Sequence, residues 1–387
     1  MVALVVLLLL AALLLGAAGW YYAGQIDAQA LAVDAPSATP QRNVTVTAAA
    51  DGQVTLRDMG DADAHALDTS DVYGLLWSGG SGVLTGVPER SADGLSTRAL
   101  HVVNGSAPSP GTRASTTRDV WTDPTTAAGV PFQDVRYACD GGSCPSWYVP
   151  GTSSTWMIMV HGKGATRAEP LRAMVPAVRA GLPVLDISYR NDRGAPRDRS
   201  GRYGYGTTEW LDLDHAVRWA SDHGAQHVVL FGSSMGGSIV ASFLEHSRMA
   251  GLVRGVVLDA PALSLRAAVD LGAEDRSLPL DLPIPGVLTS TAEWMAGWRF
   301  GVNWSATDHL PGSWLHVPAL VFHGTADRTV PVATSDALHA AHSDLVEEVR
   351  VPGADHVESW NAAPTSYQTR EATFLGCVTT GARTCTG

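Results

Sequence analysis

The run Val228-Val229-Leu230-Phe231-Gly232-Ser233-Ser234-Met235-Gly236-Gly237-Ser238 constrains this chain more than any other stretch. Strand-forming apolar residues lead straight into G-x-S-x-G, and the apolar run Ile239 to Leu244 continues as a helix. Small residues flank the central serine, so the backbone can reverse tightly between a strand and a helix. Such a turn leaves the Ser234 hydroxyl exposed and aims the new helix N-terminus at it. A Gly-rich βα turn without chemistry would carry the same local pattern, so the rest of the chain has to decide.

Two further residues complete a nucleophilic constellation. Asp327 lies just past the apolar strand Ala319 to His323, in Gly324-Thr325-Ala326-Asp327-Arg328-Thr329-Val330-Pro331. His356 lies in a loop after the β-like run Val349-Arg350-Val351. A serine hydroxyl is a poor nucleophile near neutral pH and needs an imidazole to take its proton. The imidazole in turn needs a carboxylate to hold its tautomer and stabilise its cation. Asp259 also ends a β-like run, Val253 to Leu258, and competes with Asp327 for the acid role. The loop pattern around Asp327 is the more complete, and Asp327 is preferred.

Acyl transfer also needs donors for a developing oxyanion. One would be the backbone N–H of Met235, directly after Ser234. The second is expected from Trp156-Met157-Ile158-Met159-Val160-His161-Gly162-Lys163-Gly164, an apolar strand followed by His-Gly-x-Gly. The Lys163 N–H is assigned to it, with the Gly162 N–H as the alternative. Lys163 is the only lysine among 26 Lys and Arg residues.

With the order Ser, Asp, His, the chain resembles the α/β-hydrolase superfamily over roughly residues 130–375. The resemblance rests on His161-Gly162-Lys163-Gly164, on Gly232-Ser233-Ser234-Met235-Gly236, on Asp327 in its loop, and on His356. The flavour is that of abhydrolase-domain esterases and lipases and of prolyl-oligopeptidase-like peptidases, and of actinobacterial membrane-anchored members. It implies a serine hydrolase that works through an acyl-enzyme, with no metal and no cofactor. It leaves the substrate open, because this fold carries many chemistries.

The alternation of strand and helix patterns fits an α/β fold with a mostly parallel sheet and helices on both faces. Strands are expected near 155–161, 183–189, 226–231, 253–258, 318–323 and 347–351, and helices near 167–181, 209–222, 235–247, 333–342 and 365–375. The hydrolase domain is expected over 131–387, opening with a hairpin around Cys139 and Cys144. A cap insertion is expected at about 262–316, where the connection is too long to be plain. Its Trp294 and Trp298 either line an apolar substrate pocket or pack the cap onto the core. The loop from Arg190 to Arg202 holds five arginines, with Arg190 a candidate for an anionic substrate group and a solvated loop the plainer alternative.

Residues 43–130 carry short β-like runs split by Gly, Ser and Pro and read as a small β-rich module without recognisable chemistry. Residues 24–42 read as an Ala-, Pro- and Ser-containing tether. Residues 1–23 are apolar, lack charge and are long enough to span a bilayer. A retained signal-anchor is expected. Cleavage near Ala28-Gln29-Ala30 or Ala30-Leu31-Ala32, giving a secreted protein, is the alternative.

The pairs Cys139 and Cys144, and Cys377 and Cys385, suit two local disulfides in an oxidising compartment. Together these features place the catalytic domain outside the cytoplasm at a cell membrane. A net charge of -12 argues against nucleic acid as a partner. A carboxylic-ester hydrolase acting on a small-molecule or lipid ester is the leading expectation. A serine peptidase and a non-catalytic binding protein on the same fold are the alternatives.

Overall fold

The computed structural model describes residues 2–33, 42–60, 64–274, 276–278 and 282–385. The chain opens with α1 (Val2–Ile26), continued by a π-helical turn at Asp27–Leu31. Six strands then close a barrel: β1 (Val44–Ala50), β2 (Gln53–Asp58), β3 (Tyr73–Trp77), β4 (Gly80–Arg90), β5 (Ser96–Gly105) and β6 (Arg113–Thr117). Short helices α2 (Ala64–Asp68) and α3 (Pro124–Ala128) lie within and just after this barrel segment. Val44, Val46, Val54, Leu56, Leu75 and Leu84 fill the barrel at full burial. Alternation along each strand provides that inward face.

The main sheet has eight strands. In chain order they are β7 (Gln133–Cys139), β8 (Gly142–Val149), β9 (Thr155–Val160), β10 (Val184–Ile187), β11 (His227–Ser233) and β12 (Val253–Asp259), then β15 (Ala319–Gly324) and β16 (Val346–Val351). A small hairpin, β13 (Ser277–Leu278) and β14 (Leu282–Pro283), intervenes. The spatial order is β16-β15-β12-β11-β9-β10-β8-β7, parallel except at the β7–β8 and β8–β10 pairings. The helices are α4 (Leu171–Arg179), α5 (Trp210–Asp222), α6 (Met235–His246), α7 (Leu265–Glu274), α8 (Gly286–Phe300), α9 (Ala333–Ala341), α10 (Ser359–Ala362) and α11 (Pro364–Val378).

Strand β9 shows why the sheet is covered on both faces. Trp156, Ile158 and Val160 enter one core with Leu213 and Val217 of α5 and Ile239 of α6, while Met157 and Met159 enter a second core with Met174 of α4 and Phe374 of α11. Strands buried on both faces read as continuous apolar runs, as β9 and β11 do. The expected hairpin is present, and the Cys139–Cys144 disulfide ties its two strands beside the turn. Cys377 and Cys385 form the second disulfide.

The expected tether at 24–42 is a correction. Residues 24–31 are helical, Leu31 is buried, Asp27 receives the Arg202 guanidinium at 2.6 Å, and Ala32 forms a β-bridge with Arg202. The Ala-rich composition read as a linker instead continues α1 onto the domain surface. The remainder of that stretch, 34–41, lies outside the described residues. Among the described residues α1 is the one helix long and apolar enough to cross a membrane. Its outer part, Val2 to Leu14, is exposed, whereas Gly19 and Ala23 are buried where α1 meets α8.

Candidate active site

The parallel strands end on one edge of the sheet, and the loops that leave them there carry the predicted residues. Ser234 follows β11 with φ 50° and ψ −120°, a sparsely populated conformation for a residue with a side chain. Its backbone N–H donates to the Asp259 carbonyl at 2.9 Å. The flanking glycines answer to close approach. A Cβ on Gly236 would come within 2.2 Å of the Val160 carbonyl oxygen, and one on Gly162 within 2.9 Å of Ser234 Cβ. The turn is tight because helix α6 and the loop after β9 both press against it.

The structure brings Ser234, His356 and Asp327 together. His356 Nε2 lies 2.9 Å from Ser234 Oγ, and His356 Nδ1 lies 2.8 Å from Asp327 Oδ2. These contacts suit a tautomer with Nδ1–H donating to the carboxylate and Nε2 facing the serine. Asp327 accepts N–H bonds from Thr329 and Val330 at 2.8 Å each, and His323 Nε2 lies 3.2 Å from Oδ2. Burial works against its charge, but the bonds with His323 and His356 hold its carboxyl well below the usual range. Asp259 ends β12 with its carboxylate beside Ser359, whereas His356 Nδ1 pairs with Asp327. Asp259 is 3% exposed, and burial raises its pKa.

The His-Gly-x-Gly loop is held from below. His161 is fully buried, stacks on Tyr189, and places its Nε2 2.8 Å from Asp192. Burial opposes its cation, but the Asp192 carboxylate raises its pKa to about 9. The Gly162 N–H donates to Glu169 Oε1 at 2.8 Å, and the same oxygen accepts from Ser233 Oγ at 2.6 Å. Gly162 is therefore committed, and of the two expected second donors Lys163 is the one whose amide this bond leaves out. Sequence reasoning missed Glu169. Burial works against its charge, yet Arg118 and Arg172 keep its pKa below the usual value.

The β-rich module also reaches the site, which its sequence does not disclose. Arg118, just past β6, donates to the His356 carbonyl at 3.1 Å and lines the cavity in front of Ser234. Tyr73 Oη donates to Glu358 Oε2 at 2.9 Å, and Asn361 Nδ2 donates to the carbonyls of Val72 (2.6 Å) and Arg118 (3.1 Å). Arg172 donates to the Val357 carbonyl at 2.6 Å, where Val357 sits at φ 57°. A strained β-branched residue directly after His356 needs such a frame. The module thus clamps the loop that carries the imidazole.

A cavity of about 480 Å³ opens on Ser234 and His356. Gly162, Lys163 and Arg328 line it, with apolar side chains from α1, α7 and α8. Three expected substrate contacts are corrections. Trp294 and Trp298 are 68% and 71% exposed on the outer face of α8, which sends Leu288 and Ala292 inward instead. Arg190 is 5% exposed and is consumed by Asp212, at 2.7 Å from Nε, and by Asp198. A guanidinium surrounded by its own carboxylates offers no anion site.

No family model matches the chain. The chain is 24% identical over 242 residues to the YfhR protein of Salmonella typhimurium, covering 58% of this chain and 74% of that protein. It is 22% identical over 248 residues to YfhR of Escherichia coli K12, covering 62% and 76%. Among solved structures it is similar to the Pyrococcus furiosus esterase Pf2001, with a TM-score of 0.50 and 19% identity over 66% of this chain and 95% of that one. The carboxylesterase EstE1 from a metagenomic library gives a TM-score of 0.47 at 17% identity over 67% and 92%. The likeness to Pf2001, the strand order and the edge on which the loops gather together assign this chain the α/β-hydrolase fold.

Proposed function

We propose that this protein is a serine hydrolase of carboxylic esters, anchored by α1 with its hydrolase domain on the extracytoplasmic side of the membrane. The observation that carries this is the run of short contacts from Asp327 through His356 to Ser234 at a strained elbow. Ser234 Oγ bonds to the ester carbonyl carbon while His356 Nε2 takes its proton. The Met235 and Lys163 N–H groups donate to the resulting oxyanion, Met235 at the start of α6 where the helix dipole adds to the effect. The intermediate collapses by breaking the bond to the alcohol oxygen, which leaves with the proton from His356. Water then adds to the acyl carbon, gives a proton to His356, and the acid departs as Ser234 regains that proton.

One observation favours an anchor that stays in place. Gly19 and Ala23 are buried against α8, and Tyr22 and Ile26 line the cavity, so removal of α1 would strip part of the site. The two disulfides suit an oxidising compartment. The test is steady-state hydrolysis of a p-nitrophenyl ester, with fluorophosphonate labelling, by Ser234→Ala, Asp327→Asn and Asp259→Asn. Ser234→Ala is expected to lose labelling and turnover while remaining folded. Asp327→Asn should lower kcat by about 10⁴-fold, as for a triad that presents the wrong imidazole tautomer. Asp259→Asn should stay within a few-fold of wild type. Near-wild-type hydrolysis by Ser234→Ala would overturn the reading.

A further inference from the structure

The surface beside the cavity is apolar in a patterned way. Trp20 and Tyr21 at the end of the exposed part of α1 are 51% and 61% exposed, and Val287, Trp294 and Trp298 of α8 are 61%, 68% and 71% exposed. Trp20 and Trp298 contact one another with ring centroids 6.3 Å apart. The Arg299 guanidinium lies 3.5 Å from the Trp20 ring centre and donates to the Trp20 carbonyl at 2.6 Å. Side chains of this size rarely stand exposed together on a surface that faces only water. Tryptophan, tyrosine and arginine together are the chemistry of a bilayer interface, where rings sit at headgroup level and a cation reaches the phosphates.

The position of the patch matches. From Val2 to Gly19 the helix rises about 27 Å at ~1.5 Å per residue. That is close to the roughly 30 Å of a hydrocarbon core. Trp20 and Tyr21 then fall where the hydrocarbon ends, and the Trp20–Trp298 contact brings Trp298 of α8 to the same level, with Trp294 one turn away along that helix. Within the next turn and a half of α1, Tyr22 and Ile26 line the cavity that holds Ser234, together with Leu288 and Ala292 of α8. The same two helices form the interfacial collar and the wall of the site.

We infer that the site draws its substrate from the bilayer itself: an acyl ester of a membrane-resident lipid, whose chain lies in the cavity walled by α1, α7 and α8 and whose carbonyl reaches Ser234. This rests on the ester-hydrolase reading above and on α1 spanning the membrane. Trp294 and Trp298 seat the cap on the headgroup layer and take no part in the chemistry. Hydrolysis releases a fatty acid and the corresponding alcohol.

The test uses the full chain in phosphatidylcholine vesicles and two probes, 4-methylumbelliferyl butyrate in solution and 4-methylumbelliferyl palmitate dissolved in the bilayer. Wild type should hydrolyse both. Trp294→Ala combined with Trp298→Ala should lower palmitate turnover about tenfold and leave butyrate turnover within twofold. Trp294→Phe combined with Trp298→Phe, which keeps apolar rings, should restore most of the palmitate rate. Unchanged palmitate turnover in the alanine pair overturns the inference, as does an equal fall on both probes or failure of wild type to hydrolyse palmitate while hydrolysing butyrate. If the alanine pair alters the oligomeric state in detergent with palmitate turnover intact, a second copy covers the patch and the inference fails. Absence of butyrate hydrolysis in wild type would instead overturn the ester-hydrolase reading on which it rests.

Discussion

Glu169 contributes to the site through two hydrogen bonds. One oxygen gathers the Gly162 N–H and the Ser233 hydroxyl, so it ties the loop after β9 to the residue that precedes Ser234. It is a positioning residue, because its carboxylate bonds Gly162 and Ser233 on either side of the elbow and not the Ser234 hydroxyl, which faces His356. Glu169→Ala should lower kcat on a soluble ester about 100-fold with little change in KM, the size of effect seen when one oxyanion donor is lost. Glu169→Gln keeps an acceptor oxygen and should recover most of that loss. Steady-state kinetics on both variants checks this, and an equal loss in both would assign the effect to charge instead. Ser234, Asp327 and His356 were legible in the sequence because each sits in a loop with its own local pattern. Glu169 was not, since a lone acid seven residues after Gly162 has no local signature and acquires its role only when β9 and β11 pair.

At the scale of elements, α1 and α8 make the most informative contact. A Cβ on Gly19 would meet Thr291 Cγ2 at 2.7 Å and Met295 Sδ at 3.3 Å, whereas one on Gly16 has nothing within 4 Å. Gly19→Leu is therefore expected to push the helices apart and destabilise the detergent-solubilised protein by about 1–3 kcal/mol, the usual cost of overpacking. Gly16→Leu should leave the thermal midpoint unchanged, and thermal unfolding of both variants tests the contact. The apolar character of α1 was plain from composition. Its docking on the cap was not, because a helix apolar all round shows no preferred face, and small residues at 19 and 23 become a contact only beside α8. The same holds for Trp294 and Trp298, whose side of the helix is set by which residues Leu288 and Ala292 bring inward.

For the whole molecule, a buried carboxyl of the sheet is expected to make stability depend on pH. Asp186 of β10 is fully buried, and neither carboxylate oxygen has a hydrogen-bond partner among the described residues. Burial pushes its pKa well above the ordinary value. A carboxyl raised in the folded state holds a proton that the unfolded chain has released, so its contribution is most favourable below about pH 4 and declines as pH rises through the folded value. Within that window the loss approaches about 1.4 kcal/mol per pH unit. Asp186→Asn removes the titration. Its thermal midpoint should fall less than that of wild type between pH 5 and pH 8, as followed by circular dichroism. Equal falls would place the pH dependence elsewhere.

The sequence alone determined what depends on neighbours along the chain. The period and apolarity of β9, β11, β12 and β15, the elbow at Ser234, the loops bearing Asp327 and His356, and both close cysteine pairs are local features, and local features survive translation into structure. Tertiary structure alone decided what depends on neighbours in space. It carried Arg118 and Tyr73 of the β-rich module to the loop of His356, spent Arg190 on Asp212, turned Trp294 and Trp298 outward, and laid α1 along the cavity. Each of these follows from which surface two distant segments share when they bury it, and no pattern along the chain encodes that choice.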